Sequence, residues 1–173
     1  MATLLTGNPI IEQVKNKVYR VLTNSVCILD DGTVAYVPRK FLTDNFTWIN
    51  PNASNIVASH FHDVPCQYRK IIYIDLPVEE INKKYIYFKC GRMDCKDIPI
   101  EHLKLKDMNF RQTNDLFNQV LKASGASKWA TCYLSAGVYL NAGWAKDNFL
   151  WRNGGQPKIN LEKLYIEDWG RTL

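Results

Sequence analysis

The stretch ASHFHDVPCQYR, residues 58–69, brings two imidazoles and a carboxylate close together in the chain. His60, His62 and Asp63 fall within four residues. An imidazole becomes an effective general base when a carboxylate fixes its tautomer and stabilises its protonated form. The same side chains can also bind a cation or simply pack. The stretch could therefore be a catalytic dyad, a metal site or a structural junction.

A predicted helix over about residues 53–63 places the two histidines on different sides. Because a helix turns by about 100° per residue, His60 shares an apolar face with Val64 and its neighbours, while His62 points nearly opposite. We therefore expect His60 to be packed and His62 to be the functional candidate. Pro65 is expected to end this helix.

A working site needs a second carboxylate, because neighbouring helical side chains diverge and Asp63 cannot bond His62 directly. The candidates are Asp44 in the preceding loop and Asn114 or Asp115 in a later helix. In the catalytic hypothesis His62 is the base, Asp63 a cation ligand or orienting group, and Asp44 the loop partner. We favour the structural alternative, in which Asp63 braces that loop, since structural networks also use such pairs.

The elements that would position these residues predict an α+β fold in a single domain. Residues 18–38 predict a first hairpin with a turn at Asp31–Gly32, and residues 85–105 a second with its turn near Gly91. About three helices are expected, the later two opening at Thr113 and near Ala126. Leu116, Phe117, Val120 and Leu121 form the apolar face of the first of these. We assign residues 1–150 to the domain and 151–173 to a C-terminal arm.

Charge and cysteine content exclude several classes of protein. The net charge of +5 is scattered over 173 residues, so nucleic-acid binding is not expected. The five cysteines are odd in number and follow no secretory signal, which favours reduced thiols in a bacterial or host cytosol. Cys90 and Cys95 lack a second ligand pair, so no metal is assigned, and both are interpreted as buried thiols beside a turn.

Two further segments could contact a partner. Residues 129–145 carry no charge, but they fall short of the ~20 apolar residues of a membrane span and are interpreted as a buried core helix, with membrane contact as the lesser alternative. In the arm, Tyr165, Ile166 and Trp169 are candidate binding residues for a neighbouring molecule. The alternative is that the arm folds back on its own core.

The order of these motifs resembles a domain-of-unknown-function family common in phage genomes. That family carries a Thr-Asp-x-x-Ser-x-Pro loop and then a helix with Ala-x-x-x-His-Asp-x-x-Tyr. A later helix carries Ala-Asp-x-x-Phe, and a last helix has aromatic and Gly residues. The matching positions in this chain are Thr43, Asp44, Thr47, Ala58, His62, Asp63, Phe117, Gly137, Tyr139 and Trp144.

The helix pair is also similar to that of secreted phospholipase A2 enzymes, where a His activates water and the next residue, an Asp, binds calcium. This chain departs from the pattern. The phage family's second-helix Asp falls on Asn114, the Tyr of its His-Asp helix on Cys66 and its loop Pro on Ile49. An amide can bond an imidazole but does not stabilise its charged form as a carboxylate does.

The resemblance implies a virion-associated protein of a phage tail or neck, synthesised in the host cytoplasm. It would interact with other virion proteins in an oligomeric assembly and would need no cofactor. The alternative is a small phage hydrolase of peptidoglycan or lipid ester bonds, for which calcium or zinc is possible. A third interpretation, an inhibitor of a host defence enzyme, has no support in the residues.

Overall fold

The architecture is built on antiparallel sheets with helices packed against them. The computed structural model describes residues 1–16, 18–43, 53–144 and 158–170, the side chains of 53–55 and 139–144 excepted. Within these residues the strands are β1 Thr3–Leu4, β2 Ile11–Lys15, β3 Val18–Val21, β4 Ser25–Ile28, β5 Val34–Val37, β6 Phe41–Thr43, β7 Lys70–Ile74, β8 Ile86–Lys89, β9 Arg92–Cys95, β10 Leu103–Asp107 and β11 Trp169–Gly170. The helices are α1 Ala53–Tyr68, α2 Val78–Lys84, α3 Phe110–Ala123 and α4 Lys128–Trp144.

The strands form three sheets, and the α+β single-domain prediction is confirmed. The largest sheet has the order β1-β4-β5-β7-β10, with every neighbouring pair antiparallel. A second sheet has the order β11-β6-β3-β2, and β8 pairs with β9 alone. Helix α1 joins the second sheet to the first, because it connects β6 to β7.

Both predicted hairpin turns are present. Gly32 has φ 82° in the turn between β4 and β5. Between β8 and β9, Cys90 and Gly91 both have positive φ, 50° and 79°, as a two-residue type I′ turn requires. Cys95 is buried as expected, but Cys90 is exposed. The expectation of two buried thiols is therefore wrong for Cys90, because the turn projects it into solvent.

Helix α1 continues beyond the point where it was expected to stop. Pro65 lies inside the helix, which ends only at Tyr68, where Arg69 turns to φ 53°. A proline inside a helix costs about 3 kcal/mol. The added turns bury Val64 and Tyr68, and each large apolar side chain returns about 1.5–3 kcal/mol. Burial of the last turn therefore offsets the lost hydrogen bond.

Helix α3 begins three residues earlier than Thr113. Asn109 caps it by accepting a hydrogen bond from the backbone N–H of Gln112, whose side chain accepts from the Asn109 N–H in return. The predicted apolar face is confirmed, since all four of its residues are buried. Gly125, at φ 81°, follows the last turn as predicted.

Helix α4 packs on α3 by one side of its described part. Thr131 and Leu134 are buried, and the Ser135 hydroxyl donates to the Asn118 side chain on α3. The opposite side is open: Trp129 is 87% exposed and Tyr133 73% exposed. The expectation of a buried core helix is therefore wrong for this side. No helix in the described part of the chain meets the length and apolarity of a membrane span.

Residues 158–170, which belong to the predicted C-terminal arm, lie against the domain. Leu164 is buried in the core. β11 pairs with β6 in parallel, and the Trp169 ring lies 4.6 Å from the ring of Phe41 and 5.9 Å from that of Tyr68. The backbone N–H of Gly170 donates to the Tyr68 hydroxyl at 2.7 Å. These contacts attach the end of the chain to the strand that precedes α1.

Candidate functional site

The carboxylate of Asp63 ties α1 to the second sheet. The Thr43 hydroxyl, at the end of β6, donates a hydrogen bond to Asp63 Oδ2. Thr43 is buried, and its strand is fixed by pairing with β3 opposite Tyr19. A hydrogen bond to an ionised acceptor is among the stronger ones in a protein. Asp63 therefore connects the helix to the strand that precedes it.

His62 lies beside Asp63 at the distance of an ion pair. Its Nδ1 is 3.8 Å from Asp63 Oδ1, an ion-pair distance beyond hydrogen-bond reach. The His62 side chain is 11% exposed, and its ring packs against Phe117 of α3, with centroids 5.3 Å apart and an interplanar angle of 60°. The predicted functional histidine therefore lies in the α1–α3 contact.

Cys66 contacts the same imidazole from one helical turn further on. Its Sγ is 3.4 Å from His62 Nδ1 and 3.6 Å from Nε2. A sulfur bonded in the ring plane to one nitrogen would be much farther from the other. The two similar distances therefore place the sulfur over the face of the ring. In this arrangement the imidazole is not aligned to take the thiol proton, as a nucleophile–base pair requires.

The charges of His62 and Asp63 stabilise each other. Burial lowers the pKa of His62, but the Cys66 sulfur and the Asp63 carboxylate outweigh burial and raise it to about 10. Burial raises the pKa of Asp63, but His62 and the Thr43 hydroxyl outweigh burial and hold it below its usual value. At neutral pH the pair is therefore an imidazolium beside a carboxylate. An imidazolium cannot accept a proton, so this state is not that of a general base.

His60 occupies the opposite environment. It is fully buried, and within the described residues neither ring nitrogen has a hydrogen-bond partner. Burial lowers the pKa of His60 to about 4, while the charge of Asp63 acts in the other direction. The prediction that His60 is the packed histidine is confirmed.

The second-helix candidates do not complete a dyad. Asn114 is buried, and its amide oxygen and nitrogen have no partner among the described residues. Asp115 is exposed on the outer side of α3. Asp44, the proposed loop partner, lies outside the described residues.

The structure therefore brings together His62 and Asp63, as the catalytic hypothesis requires, and adds three residues to them. The sequence indicated Thr43 only as a position of the phage family's loop motif, and Cys66 only as the residue that stands at that family's Tyr position. The spacing of four residues between His62 and Cys66 could have revealed their contact, since such pairs meet on a helix. Among the described residues no group of three or more His, Cys, Asp or Glu side chains is placed to hold a metal ion.

The predicted binding residues of the C-terminal arm differ in environment. The Tyr165 hydroxyl bonds the Tyr36 hydroxyl at 2.9 Å and donates to the backbone oxygen of Ile98 at 2.8 Å. Trp169 Nε1 donates to the backbone oxygen of Arg39 at 3.1 Å. Ile166 is 71% exposed. Two of the three side chains are thus engaged within the chain, and Ile166 presents its side chain to solvent.

Comparison with known proteins adds no relative: no family model, no curated protein and no solved structure matches this chain.

Proposed function

We propose that this chain is a bacteriophage virion-associated protein of the tail or neck, which acts by binding other virion proteins and not by catalysis. The phage setting rests on the resemblance of its motifs to the phage family. The observation that carries the non-catalytic part is the Thr43–Asp63 hydrogen bond, which uses the carboxylate to join α1 to β6.

Three features of His62 support the same proposal. Its side chain is almost fully covered, it is charged at neutral pH, and the Cys66 sulfur lies over its ring face. A hydrolytic base needs an open cleft and a neutral imidazole. The His-Asp helix is thus better suited to hold the domain together than to activate water.

Exposed apolar side chains support the interaction role. Trp129 and Tyr133 on α4, Phe88 on the β8–β9 hairpin and Ile166 near the chain end are all more than two-thirds exposed. Contiguous exposed apolar patches mark contact surfaces, whereas singly exposed apolar side chains are common on any protein. Trp129 and Tyr133, one helical turn apart on α4, are therefore the pair that supports a contact surface.

The alternative is a hydrolase of peptidoglycan or lipid ester bonds, and the 3.8 Å approach of His62 to Asp63 is the observation in its favour. It requires His62 to lose its proton, Asp63 to release Thr43 for a calcium or zinc ion, and Asp44 to supply the loop carboxylate.

Particle composition tests the proposal directly. A tagged copy is produced during infection by the phage that encodes the chain, and particles are purified by density gradient. We expect mass spectrometry to find the chain in the particle fraction at a fixed ratio to the major capsid protein. Recovery only in the soluble lysate would contradict the proposal.

A parallel assay tests the alternative. Purified wild type and the His62→Gln variant are incubated with peptidoglycan and with phospholipid vesicles, in calcium, zinc or chelator. We expect no product above the buffer control. Product formed by the wild type and lost in His62→Gln would establish the hydrolase.

A further inference from the structure

The β8–β9 hairpin is hydrogen-bonded to the rest of the described chain along its β9 edge. It forms a sheet of its own, in which β8 pairs with β9 and with no other described strand. The outward carbonyl groups of β9 are occupied. The Met93 oxygen accepts from the backbone N–H of Gly7 at 2.8 Å, and the Cys95 oxygen accepts from the Asn24 side chain at 3.0 Å. The outer side of β8 is therefore the open edge of the hairpin.

The alternation of hydrogen bonds shows which groups of β8 point to this edge. The backbone N–H of Lys96 donates to the Tyr85 oxygen at 3.0 Å, so these two residues are a hydrogen-bonded pair. Hydrogen-bonded and non-hydrogen-bonded pairs alternate along an antiparallel ladder. Ile86 and Phe88 therefore direct their N–H and C=O groups outward, where the described residues supply no partner. Each of the two offers one donor and one acceptor to an added strand.

The two faces of the hairpin differ in character. Directly opposed residues of an antiparallel pair share a face. Phe88 and Met93 are opposed, and their side chains are 70% and 42% exposed. The other face of β8 carries Lys89, which is exposed and has no ion pair within the described residues. Because side chains alternate along a strand, an added strand would contact the apolar face and the basic face with alternate residues.

Charge determines which kind of strand fits this edge. Residues 83–96 contain five basic side chains and one acidic one, a net charge of +4, in a chain whose total is +5. An acidic side chain beside Lys89 would gain a cross-strand ion pair, whereas a basic one would be repelled. Antiparallel pairing of β8 with a second copy would bring each Lys89 toward Lys83 and Lys84 of the other copy. Lysines on an edge strand oppose such self-pairing.

The open edge also distinguishes a strand from a membrane surface. Open sheet edges do not occur in the hydrocarbon region of a bilayer, because no water is present there to bond their N–H and C=O groups. Insertion of the Phe88 ring into lipid would carry the unpaired backbone groups of the same residue toward that region. An added strand instead bonds these groups and covers the ring at the same time.

We propose that the outer edge of β8 is a docking site for an extended segment of a partner protein, in which apolar residues alternate with acidic ones. The added strand bonds the backbone of Ile86 and Phe88. Its apolar side chains lie beside the Phe88–Met93 pair, and its acidic side chains lie beside Lys89. The proposal deepens the proposed function, because it gives the chemistry of a partner, and it rests on that function only for the partner being a virion protein.

Synthetic peptides test the docking site on the purified chain. The probe is a fluorescent peptide in which Glu and Val alternate, and fluorescence anisotropy measures its affinity. The control for charge is the same peptide with Lys in place of Glu. We expect the Glu-Val peptide to bind at least about tenfold more tightly, a difference of about 1.4 kcal/mol.

N-methylated peptides test whether the backbone is bound. Residues opposite Ile86 and Phe88 share the apolar face, so the Val amides of the probe are the ones that face β8. N-methylation of Val removes these donors and is expected to weaken binding by about tenfold. N-methylation of Glu, whose amides face away from β8, is the matched control and is expected to retain binding.

Variants of the chain locate the site. Lys89→Glu is expected to weaken the Glu-Val peptide by about tenfold and to strengthen the Lys-Val peptide. Lys104→Glu is the matched control, because it makes the same change at an exposed lysine of β10, the edge strand of the largest sheet. It is expected to retain binding. Amide hydrogen exchange, measured by NMR, is expected to slow at Ile86 and Phe88 when the Glu-Val peptide is added.

Several results would overturn the docking site. These are equal affinities of the Glu-Val and Lys-Val peptides, unchanged binding after N-methylation of Val, and loss of binding in Lys104→Glu. Slowed exchange confined to residues outside β8 would also overturn it. Self-association, or binding to phosphatidylglycerol vesicles, that blocks the peptide would assign the edge to a second copy or to a membrane instead.

The docking site and the proposed function can fail separately. If the chain is present in phage particles but binds none of the peptides, the docking site fails and the proposed function stands. If the chain binds the Glu-Val peptide through β8 but is absent from particles, the proposed function fails and the docking site stands.

Discussion

His60 and His62 lie two residues apart on α1, and their surroundings differ in almost every respect. His60 is fully buried and has no hydrogen-bond partner among the described residues, and burial lowers its pKa to about 4. Burial also lowers the pKa of His62, but Cys66 and Asp63 outweigh it and raise the value to about 10. The two residues are close in the sequence, but the turn of the helix directs their rings toward different surroundings. The comparison teaches that burial alone keeps a histidine neutral, and that several close polar groups together can outweigh burial and keep it charged.

The largest expected effect on stability comes from removing the Phe117 ring, which packs against His62. Phe117→Ala leaves a cavity between α1 and α3 and is expected to lower the free energy of unfolding by about 3–5 kcal/mol. Urea denaturation measures the change. Phe88→Ala, at a side chain that is 70% exposed, is the control, and we expect it to change stability by less than about 0.5 kcal/mol. Equal losses in the two variants would show that the α1–α3 contact is not a core contact.

The next largest expected effect is a loss of folding stability in acid, to which His60 contributes and His62 does not. Because the pKa of His60 is depressed from 6.5 to about 4, its contribution to stability is complete above pH 6.5 and is lost as pH falls toward 4. The loss is about 3 kcal/mol. His62 does not oppose it, because a raised pKa gives stability that is already complete below pH 6.5. Asp63, whose pKa is lowered, loses its contribution only in more acidic solution.

Unfolding curves measured between pH 7 and pH 4 test this difference. We expect the wild type to lose stability over that range and His60→Leu to lose much less. His60→Leu is also expected to be about as stable as the wild type at pH 7, because the removed nitrogens have no partner in the described structure. If the wild type and His60→Leu lose the same stability between pH 7 and pH 4, groups other than His60 cause the loss.

Loss of the Thr43–Asp63 hydrogen bond, which lies next to His62, has a moderate expected effect on stability. Thr43→Val removes the donor to Asp63 and should lower the free energy of unfolding by about 1.5–3 kcal/mol. NMR titration of Asp63→Asn should show a lower pKa for His62, because the carboxylate that stabilises the imidazolium is gone. Thr3→Val, at an exposed threonine, is the control. If Thr43→Val is as stable as this control, the Thr43–Asp63 hydrogen bond does not stabilise the contact of α1 with β6. The non-catalytic part of the proposed function then loses its support.

The smallest expected effect is at Asn114, the position that matches the second-helix Asp of the phage family. Its amide is buried without a partner among the described residues, so Asn114→Leu should change stability by about 1 kcal/mol or less, in either direction. Asn24 is also buried but bonds Cys95, Asp97 and Arg39, so Asn24→Leu should cost more. Thermal unfolding compares the two. A loss at Asn114 equal to that at Asn24 would indicate an essential polar contact on α3.

Several elements could be predicted because their signals are local. The turns at Gly32 and Gly91 need positive φ, which glycine adopts without strain, and both turns occur where expected. The apolar face of α3 follows from helical spacing alone. By contrast, the continuation of α1 through Pro65 depends on the burial of Tyr68, which no local pattern contains.

The candidate site shows the same division. Spacing predicted that His60 packs and that His62 points elsewhere, because both follow from the turn per residue of a helix. It did not predict Thr43 as the partner of Asp63, or Phe117 as the ring beside His62, since one is twenty residues earlier and the other lies on α3.

The sequence by itself thus determined the α+β class, the two hairpin turns, the buried side of α3 and the packed histidine of α1. The tertiary structure decided that His62 is charged and enclosed, that the Tyr165 and Trp169 side chains bond within their own chain, and that one side of α4 is left open. The physical reason is that backbone preferences and helical periodicity act between near neighbours. Ionisation and exposure instead depend on groups that only the fold brings together.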